Sequence, residues 1–342
     1  MSLAMIEDKF SRPFKDLRIS VTDRCNFRCT YCMPAEIYGE SYKFLPKLEL
    51  LTFEEIVRLS TIMVNLGATK IRITGGEPLV RKSIEDLVAM LAKIKGIEDL
   101  TMTTNSYLLP GKVKALRDSG LNRITTSLDT LDDDIFKKMN GRGFGVDKVL
   151  EGIASAEAHG FSPIKVNAVV QRGVNDHTVL QLASYFKERG HIVRFIEYMD
   201  VGTRNGWSLA NVVSGKEIVE RINEVMPLKP IAANYAGEVA TRYKYVDGEG
   251  EIGLINSVTE PFCGDCTRLR LSPEGKIFTC LFGSAGTDLR EPMRMGADDS
   301  EIEKIIRQTW IRRTDRYSET RSSMTEELRN SRKKVEMYHI GG

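Results

Sequence analysis

Short segments of the chain alternate between hydrophobic and polar residues, and the segments between them repeat their hydrophobic residues with a helical spacing. The alternation over 17–22 predicts a strand, and the capping box Thr-Phe-Glu-Glu over 52–55 begins a helix that Gly67 ends. Six strand–helix units in succession predict a parallel sheet with right-handed crossovers. The further strands are predicted over 70–74, 100–104, 123–128, 164–170 and 191–197, and the further helices over 87–94, 146–159 and 177–189.

The predicted strands carry polar residues at alternate positions, whereas parallel strands covered by helices on both faces are normally apolar throughout. Apolar positions such as Ile19, Ile71 and Val166 must face the helices, so the polar faces point at one another across an interior. We therefore expect an α/β fold, an incomplete (β/α)6 TIM-like barrel whose interior binds a large polar molecule. The alternative is a sheet face exposed to water. The polar positions are Arg18, Ser20, Thr22, Lys70, Arg72, Thr74, Thr101, Thr103, Asn105, Thr125, Ser127, Asp129, Lys165 and Asn167.

Composition narrows the possible partners. The 342 residues carry a formal net charge of +2, with 42% hydrophobic and 28% charged residues, as in an ordinary globular protein. The near-neutral charge and the lack of interleaved basic and aromatic residues argue against nucleic-acid binding. We find neither a bilayer-length apolar run nor a secretory leader, so we expect a cytoplasmic protein that does not bind membranes. Residues 1–4 are interpreted as an expression remnant, because Met5 offers a second start.

The six cysteines form two groups of three. Isolated buried cysteines would be scattered along the chain, and a disulfide framework would require an oxidising compartment. Two triads in a reducing compartment therefore predict two metal sites. The triads are Cys25, Cys29 and Cys32, and then Cys263, Cys266 and Cys280.

The first triad has the spacing Cys-x3-Cys-x2-Cys and directly follows the first predicted strand. Three thiolates can hold three irons of a [4Fe–4S] cube, which leaves the fourth iron open to a chelating ligand. A zinc ion would normally take four protein ligands, and no histidine lies nearby. With the aromatic Tyr31 just before its last cysteine, this loop resembles the signature of the radical S-adenosylmethionine (SAM) superfamily. The resemblance implies a [4Fe–4S] cluster and SAM as cofactors.

The second predicted strand ends in Thr-Gly-Gly-Glu-Pro over 74–78. Two glycines let the backbone approach a ligand closely, and a glutamate can accept a hydrogen bond from an ammonium group. Alone this is a turn pattern, but beside the cysteine loop it resembles the superfamily's site for the SAM amino group. The resemblance places six residues around SAM, namely Tyr31, Gly75, Gly76, Glu77, Ser127 and Met199.

The second triad has the spacing Cys-x2-Cys-x13-Cys, and Arg268 and Arg270 lie at alternate positions within it. Three thiolates again leave one iron open. An open iron beside two guanidinium groups suits a substrate with a Lewis-basic ring and phosphates. The alternative is a structural zinc site whose fourth ligand lies elsewhere.

Both triads and the C-terminal sequence Tyr-His-Ile-Gly-Gly over 338–342 closely resemble the GTP 3′,8-cyclase family of molybdenum cofactor biosynthesis, from about Arg12 to the end. The resemblance implies that a 5′-deoxyadenosyl radical removes the 3′ hydrogen of GTP and that C3′ attacks C8. The product is (8S)-3′,8-cyclo-7,8-dihydroguanosine 5′-triphosphate. A second [4Fe–4S] cluster on Cys263, Cys266 and Cys280 is implied as well.

The resemblance also implies site residues and partners. We expect a radical SAM partial barrel over 12–220 and a C-terminal cluster-binding extension over 221–342 that carries the Gly-Gly tail. The implied partners are an electron donor, a downstream cyclic pyranopterin monophosphate synthase and a second copy in a homodimer. Arg194 and Glu197 are expected only to support the site. The implied GTP-binding residues are Arg18, Arg72, Thr103, Lys165, Arg268 and Arg270, and the implied catalytic residues are Arg268, Arg270, Gly341 and Gly342.

Two features add to this interpretation. The family usually reads Thr-Thr-Asn-Gly after the third strand, whereas this chain has Ser106 in the glycine position, which is strained if the position requires a positive φ. The basic stretch over 312–334 contains interspersed acids and predicts mainly a solvated helix face, with a contact to the triphosphate or to a partner protein as the alternative. Two other functions stay open, a peptide-modifying radical SAM enzyme with an auxiliary cluster and a zinc-stabilised nucleotide-binding module.

Overall fold

The computed structural model describes residues 5–342, so the interpretation of residues 1–4 lies outside the described part of the chain. Within this part, twelve strands form one sheet. No helix in it combines the length and the apolar character that crossing a membrane requires. The strands are β1 (Asp16–Ser20), β2 (Lys70–Thr74), β3 (Asp99–Thr104), β4 (Arg123–Ser127), β5 (Lys165–Val170), β6 (Ile192–Glu197), β7 (Leu228–Ile231), β8 (Thr241–Tyr245), β9 (Glu251–Ile255), β10 (Arg268–Leu271), β11 (Lys276–Phe278) and β12 (Thr287–Asp288). The helices are α1 (Phe53–Asn65), α2 (Ile84–Leu91), α3 (Val113–Asp118), α4 (Asp133–Asn140), α5 (Asp147–Ala158), α6 (Val179–Lys187), α7 (Gly215–Val225), α8 (Arg290–Arg294), α9 (Asp299–Ile311), α10 (Tyr317–Thr320), α11 (Glu326–Ser331) and α12 (Met337–Ile340).

Strands β1 to β6 lie side by side in chain order and pair in parallel, with helices between them. This confirms the predicted partial barrel. The capping box is present, since Thr52 Oγ1 accepts from the Glu55 amide at 3.1 Å and Glu55 Oε2 accepts from the Thr52 amide at 2.8 Å. Helix α2 begins three residues earlier than predicted, because its buried face already starts at Ile84.

The apolar positions of the strands form the core against the helices. Ile19, Ile71, Ile73 and Val166 are fully buried, and Ile124 is 2% exposed. Burying an aliphatic side chain of this size contributes about 1.5–3 kcal/mol. The hydrophobic effect therefore fixes which face of each strand meets the helices, and it leaves the polar face for the interior.

The C-terminal part of the chain extends this sheet at both edges, which the sequence did not predict. Strand β10 pairs in parallel with β1, and β9 pairs in parallel with β6. Strands β11 and β12 continue one edge, and β8 and β7 continue the other, with antiparallel pairing. Sheet hydrogen bonds thus cross the predicted division at residues 220 and 221, and the division itself stays a prediction.

Ser106 adopts the positive φ that the sequence comparison pointed to, with a value of 62°. Its hydroxyl lies 2.8 Å from Thr126 Oγ1, and its amide donates to Thr104 Oγ1 at 2.9 Å. A left-handed conformation costs a non-glycine residue roughly 1–2 kcal/mol, and a hydrogen bond returns about 1 kcal/mol. The serine therefore offsets much of its own strain, and the loop after β3 keeps its course.

Candidate active site

The polar faces of the strands line one cavity of about 320 Å³. It holds the side chains that the sequence assigned to metal, cofactor and substrate, although these come from positions 18 to 342. Gly341 is the exception, since it is buried and does not line the cavity. The predicted residues that line the cavity are Arg18, Cys25, Cys29, Tyr31, Cys32, Arg72, Gly75, Gly76, Glu77, Thr103, Ser127, Lys165, Met199, Cys263, Cys266, Arg268, Arg270, Cys280 and Gly342.

The two cysteine triads lie at opposite ends of the barrel. The first triad follows the carboxyl end of β1, whereas Cys263 and Cys266 precede the amino end of β10. Because β1 and β10 run in parallel with Asp16 opposite Arg268, these are opposite ends of neighbouring strands. The five residues of β1 span about 16 Å at the usual rise of a strand. A ligand of nucleotide size can therefore lie between the two triads.

The thiols of the first triad have few polar partners. Cys25 Sγ accepts from the Phe27 amide at 3.4 Å, and burial raises the pKa of Cys25 to about 12. Burial also raises the pKa of Cys29 and that of Cys32. Such thiols become thiolates when a metal supplies the compensating positive charge.

The donor set fits an iron–sulfur cube. Among residues 5–342, no three cysteine, histidine, aspartate or glutamate side chains meet as ligands of one ion would. A [4Fe–4S] cube does not require that, because each of its cysteine ligands binds a different iron. Three thiols on one loop, open to a shared cavity, can hold three corners of such a cube and leave the fourth facing the interior.

Gly75 and Gly76 bring the loop after β2 against the cysteine loop. A Cβ atom on Gly75 would lie 2.7 Å from the Thr22 carbonyl oxygen, and one on Gly76 would overlap the Arg24 carbonyl oxygen. The Gly76 amide donates to the Thr22 carbonyl at 2.7 Å. The two glycines were expected to let the backbone approach a ligand. In the structure they also let this loop pack closely against the cysteine loop, and this contact fixes the position of the first triad.

Glu77 is buried at the end of this loop. Its carboxylate accepts from Thr104 Oγ1 at 2.7 Å and from the amides of Asn105 and Leu79 at 2.8 and 3.1 Å. Burial raises the pKa of Glu77 to about 7, although these hydrogen bonds act in the opposite direction. A carboxylate offers about four lone-pair sites, so one remains for an ammonium group in the cavity.

Tyr31 is held by Asp129, a residue that sequence reasoning placed on the polar face without a role. The Tyr31 hydroxyl donates to Asp129 Oδ2 at 2.9 Å, and the Val169 amide donates to Oδ1 at 2.9 Å. Burial raises the pKa of Asp129 to about 6. The hydrogen bond between Tyr31 and Asp129 fixes the Tyr31 ring at the cavity wall. The alternation of polar residues at the end of β4 was the only feature of the sequence that pointed to Asp129.

Buried cations line the middle of the cavity. Burial and mutual repulsion lower the pKa of Arg18 to about 9 and the pKa values of Arg72 and Arg194 to about 10. The pKa of Lys165 falls to about 8 because of burial and the nearby Arg194 and Arg123. Buried like charges are costly, so this wall is complementary to a strongly anionic ligand.

Three of the cations at the amino ends of the strands were missed or underrated. Lys70 and Arg123 begin β2 and β4, and both line the cavity together with Arg194 of β6. The sequence feature that could have identified these three residues is a basic residue at the first or third position of a strand whose polar face points inward. Glu197, expected to support the site, accepts from the Gly215 amide at 2.9 Å and so holds the start of α7.

The second triad differs from the first because guanidinium groups contact its sulfur. Arg268 Nη2 donates to Cys266 Sγ at 3.2 Å, and Arg313 Nη2 donates to the same atom at 3.0 Å. Burial alone would raise the pKa of Cys266, but the two arginines lower it to about 6. Arg313 belongs to the stretch that was predicted to be a solvated helix face.

That expectation is wrong for two of the basic residues. Arg313 is 4% exposed and Arg321 is 2% exposed, whereas the neighbouring Arg312 is exposed. Arg321 Nε lies 2.7 Å from Asp200 Oδ1, in the loop after β6. The two arginines are buried because acidic partners from distant parts of the chain neutralise them.

The C-terminal tail runs along the cavity wall. The Arg270 guanidinium donates to the Gly341 carbonyl oxygen, and Gly342 reaches the cavity. Upstream, the Tyr338 ring packs edge-on against Tyr38 with the ring centroids 5.1 Å apart. His339 Nε2 lies 2.8 Å from Glu274 Oε2. The tail is therefore part of the site and is anchored at several points.

The fold and the site define a radical SAM protein, a class whose family model matches residues 19–186. A second model, described as Molybdenum Cofactor Synthesis C, matches residues 191–319. The chain is 49% identical to a GTP 3′,8-cyclase of Acidothermus cellulolyticus, over 98% of this chain and 99% of that protein. It is 48% identical to a GTP 3′,8-cyclase of Staphylococcus epidermidis, over 99% of both chains. The chain belongs to the GTP 3′,8-cyclase family, whose members are radical SAM enzymes of molybdenum cofactor biosynthesis.

Solved structures support the fold. The crystal structure of Streptococcus suis SuiB bound to S-adenosylmethionine aligns with a TM-score of 0.60 at 17% sequence identity. The alignment covers 87% of this chain and 69% of SuiB. A second SuiB structure aligns with a TM-score of 0.60 at 16% identity, over 92% of this chain and 70% of SuiB. At this identity the likeness concerns the fold alone.

Proposed function

We propose that this enzyme cyclises GTP to (8S)-3′,8-cyclo-7,8-dihydroguanosine 5′-triphosphate, with the substrate bound between two iron–sulfur clusters. The observation that carries the proposal is the placement of one cysteine triad at each end of a cavity whose middle is lined by buried cations. Membership in the GTP 3′,8-cyclase family decides against a peptide-modifying enzyme and a zinc-stabilised module.

The end of the cavity near Cys25, Cys29 and Cys32 is proposed to hold the first cluster together with SAM. When bound, the first cluster would supply the chemistry of reductive SAM cleavage, which yields a 5′-deoxyadenosyl radical. The chain's own residues position SAM. Glu77 offers its remaining lone pair to the amino group, and Tyr31, fixed by Asp129, provides a flat surface for the adenine. The residues proposed to complete this site are Gly75, Gly76, Ser127 and Met199.

The middle and the opposite end are proposed to bind GTP. Arg18, Arg72 and Lys165 bring positive charge to the cavity wall, which favours the triphosphate. The Arg72 guanidinium donates to Thr103 Oγ1 at 2.9 Å, which fixes its plane. Arg268 and Arg270 stand beside the second triad, where the guanine ring would meet the proposed second cluster. Orientation of GTP in the cavity would limit the radical to one ribose hydrogen.

The reaction needs partners beyond GTP. Reductive cleavage of SAM requires a one-electron donor, and the cyclised triphosphate is the substrate of a downstream cyclic pyranopterin monophosphate synthase. A homodimer is proposed from the family resemblance.

Anaerobic turnover tests the proposed function. We expect reconstituted enzyme with SAM, a strong reductant and GTP to form one 5′-deoxyadenosine for each cyclised nucleotide, measured by chromatography of both products. Omission of GTP provides the control. SAM cleavage that is indifferent to GTP would contradict the substrate, and absence of cleavage from protein shown to hold iron would contradict the reaction class.

GTP affinity should depend on pH through Lys165. Its lowered pKa of about 8 means that the ammonium is present below pH 8 and is lost as the pH rises. We expect the affinity of the protein for GTP to decline from near pH 8 upward, by at most about tenfold per pH unit for one proton. Isothermal titration calorimetry at a series of pH values measures this. The variant Lys165→Arg keeps its charge and should flatten the decline. An identical decline in both proteins would assign it to another group.

A further inference from the structure

Arg313 lines the cavity beside the second triad and is almost completely buried. Its Nη1 donates to the Cys266 carbonyl oxygen at 2.6 Å, and its Nη2 donates to Cys266 Sγ at 3.0 Å. One guanidinium thus holds both the backbone and the sulfur of the same residue. The cysteine motif does not predict this contact, because Arg313 and Cys266 are 47 positions apart along the chain.

Arg313 is also held by residues other than Cys266. Its Nη1 lies 3.5 Å from Asp8 Oδ2, and its guanidinium stacks at 4.6 Å over the ring of Trp310. Arg12 shares Asp8 at 2.6 Å and donates to the Cys263 carbonyl oxygen at 2.7 Å. Both ends of the Cys-x2-Cys turn are therefore tied to one buried ion-pair network.

The first triad has no equivalent. Among the residues that the structure describes, Arg28 donates to the Cys25 carbonyl oxygen at 2.7 Å, and no arginine donates to a sulfur of this triad. The sulfur of Cys25 accepts from the backbone of Phe27, and the Asn105 amide nitrogen lies 3.9 Å from it. The two triads thus differ in charge and in hydrogen bonding at sulfur, although each offers three thiols.

Arg313 is also distinct from the arginines proposed to bind GTP. Both of its terminal nitrogens donate to Cys266, and its Nε lies 3.7 Å from Asp315 Oδ2. Arg18, by comparison, lines the cavity beside Arg72 and Arg268, and Asp16 lies near it. Although Arg313 also lines the cavity, both of its terminal nitrogens are engaged by Cys266, so its effect on the second triad passes through Cys266.

We propose that Arg313 is a positioning residue that fixes Cys266 and raises the reduction potential of the C-terminal cluster above that of the same cluster without it. This inference rests on the proposed function, which places a [4Fe–4S] cluster on Cys263, Cys266 and Cys280. Reduction adds negative charge to a cluster, and an N–H donor together with a positive charge at a ligand sulfur stabilises the reduced form. The chain thereby sets two clusters with the same type of protein ligand to different potentials.

The test uses the full chain with Cys25, Cys29 and Cys32 replaced by alanine, so that reconstitution fills only the C-terminal triad. The variants Arg313→Gln and Arg313→Lys are made in this background, and Arg312→Gln is the matched control because its side chain is exposed next to Arg313. The readouts are iron content and the midpoint potential from redox titration followed by electron paramagnetic resonance, without GTP or SAM.

We expect Arg313→Gln to lower the reduction equilibrium constant about tenfold, which is about 59 mV for a one-electron couple. Arg313→Lys, which keeps the charge but loses the two-pronged contact, should shift the potential in the same direction by less. Arg312→Gln should leave it unchanged. If the glutamine variant fails to retain iron, the lysine variant decides, and a lysine variant at the parent potential overturns the inference.

The same experiment separates the inference from the proposed function. A parent protein that binds no cluster on the C-terminal triad contradicts the second cluster, and the inference falls with it. A parent that holds the cluster, with equal potentials in the Arg313 and Arg312 variants, leaves the proposed function intact and overturns only the role of Arg313.

Discussion

Replacement of Cys29 by alanine should abolish SAM cleavage, because the proposed cluster would lose one of the three thiolates assigned to it on the loop after β1. Cys29 packs beside the buried Tyr31. The backbone of the loop is fixed at Cys29, because the amides of Cys32 and Met33 donate to its carbonyl oxygen at 2.9 and 2.8 Å. Among the described residues, this loop carries no fourth cysteine that could replace the missing ligand. The measurement is 5′-deoxyadenosine formed under strong reductant, alongside iron per chain.

Thr30→Ala is the matched control, since Thr30 is the exposed neighbour of Cys29 and should keep the parent activity. A second comparison separates the two triads. Cys280→Ala should still cleave SAM but should form no cyclised nucleotide, because Cys280 lies at the opposite end of the cavity. Retained SAM cleavage by Cys29→Ala, or cyclised product from Cys280→Ala, would contradict the roles proposed for the triads.

Gly341→Ala should reduce formation of the cyclised nucleotide by about a hundredfold, the loss typical of a misplacement of about 1 Å in a site. Gly341 has a φ of 75°, and a Cβ atom added to it would overlap Thr74 Cγ2. Thr74 belongs to β2 and is 4% exposed, so it does not move aside easily. The carbonyl that Arg270 holds would shift, and Gly342 would leave its place in the cavity.

Two further variants make this prediction specific. In Gly342→Ala, the new Cβ would meet Met337 Cγ at 2.7 Å, which lies on a flexible side chain, so we expect a milder loss. Adding Thr74→Ser to Gly341→Ala removes the overlapping methyl group and should restore part of the activity, with the backbone strain of alanine at positive φ remaining. Activity of the double variant no higher than that of Gly341→Ala would contradict the steric explanation.

The local elements of this protein are determined by neighbouring residues and could be predicted from sequence. The capping box at Thr52 needs only residues three positions apart, and the alternation in β1 and β2 follows from the period of a strand. The spacing of the first triad likewise specifies its chemistry within eight residues. The positive φ of Ser106 was expected because its position corresponds to a glycine in the family.

The completion of the barrel wall depends on contacts between residues that are distant along the chain, and no local sequence pattern predicts these contacts. Strand β10 has only four residues, and it joins β1 across about 250 positions of sequence, with Arg270 opposite Arg18. Such a short segment carries too little periodicity to identify its partner. The sequence therefore predicted that Arg268 and Arg270 belong to the site, and only the tertiary structure decided that they form part of the same wall as Arg18.

The difference between Arg312 and Arg313 shows the same division most clearly. Both lie in one basic stretch, and nothing in their neighbours distinguishes a solvated arginine from a buried one. Helix α9 packs Trp310 against Phe14, with the ring centroids 5.2 Å apart, and this turns Arg313 toward Asp8 and Cys266. The sequence by itself determined which ligands and charges the protein possesses. Tertiary packing decided which charges are buried and which sulfur they contact, because burial of a charge depends on partners that are distant along the chain.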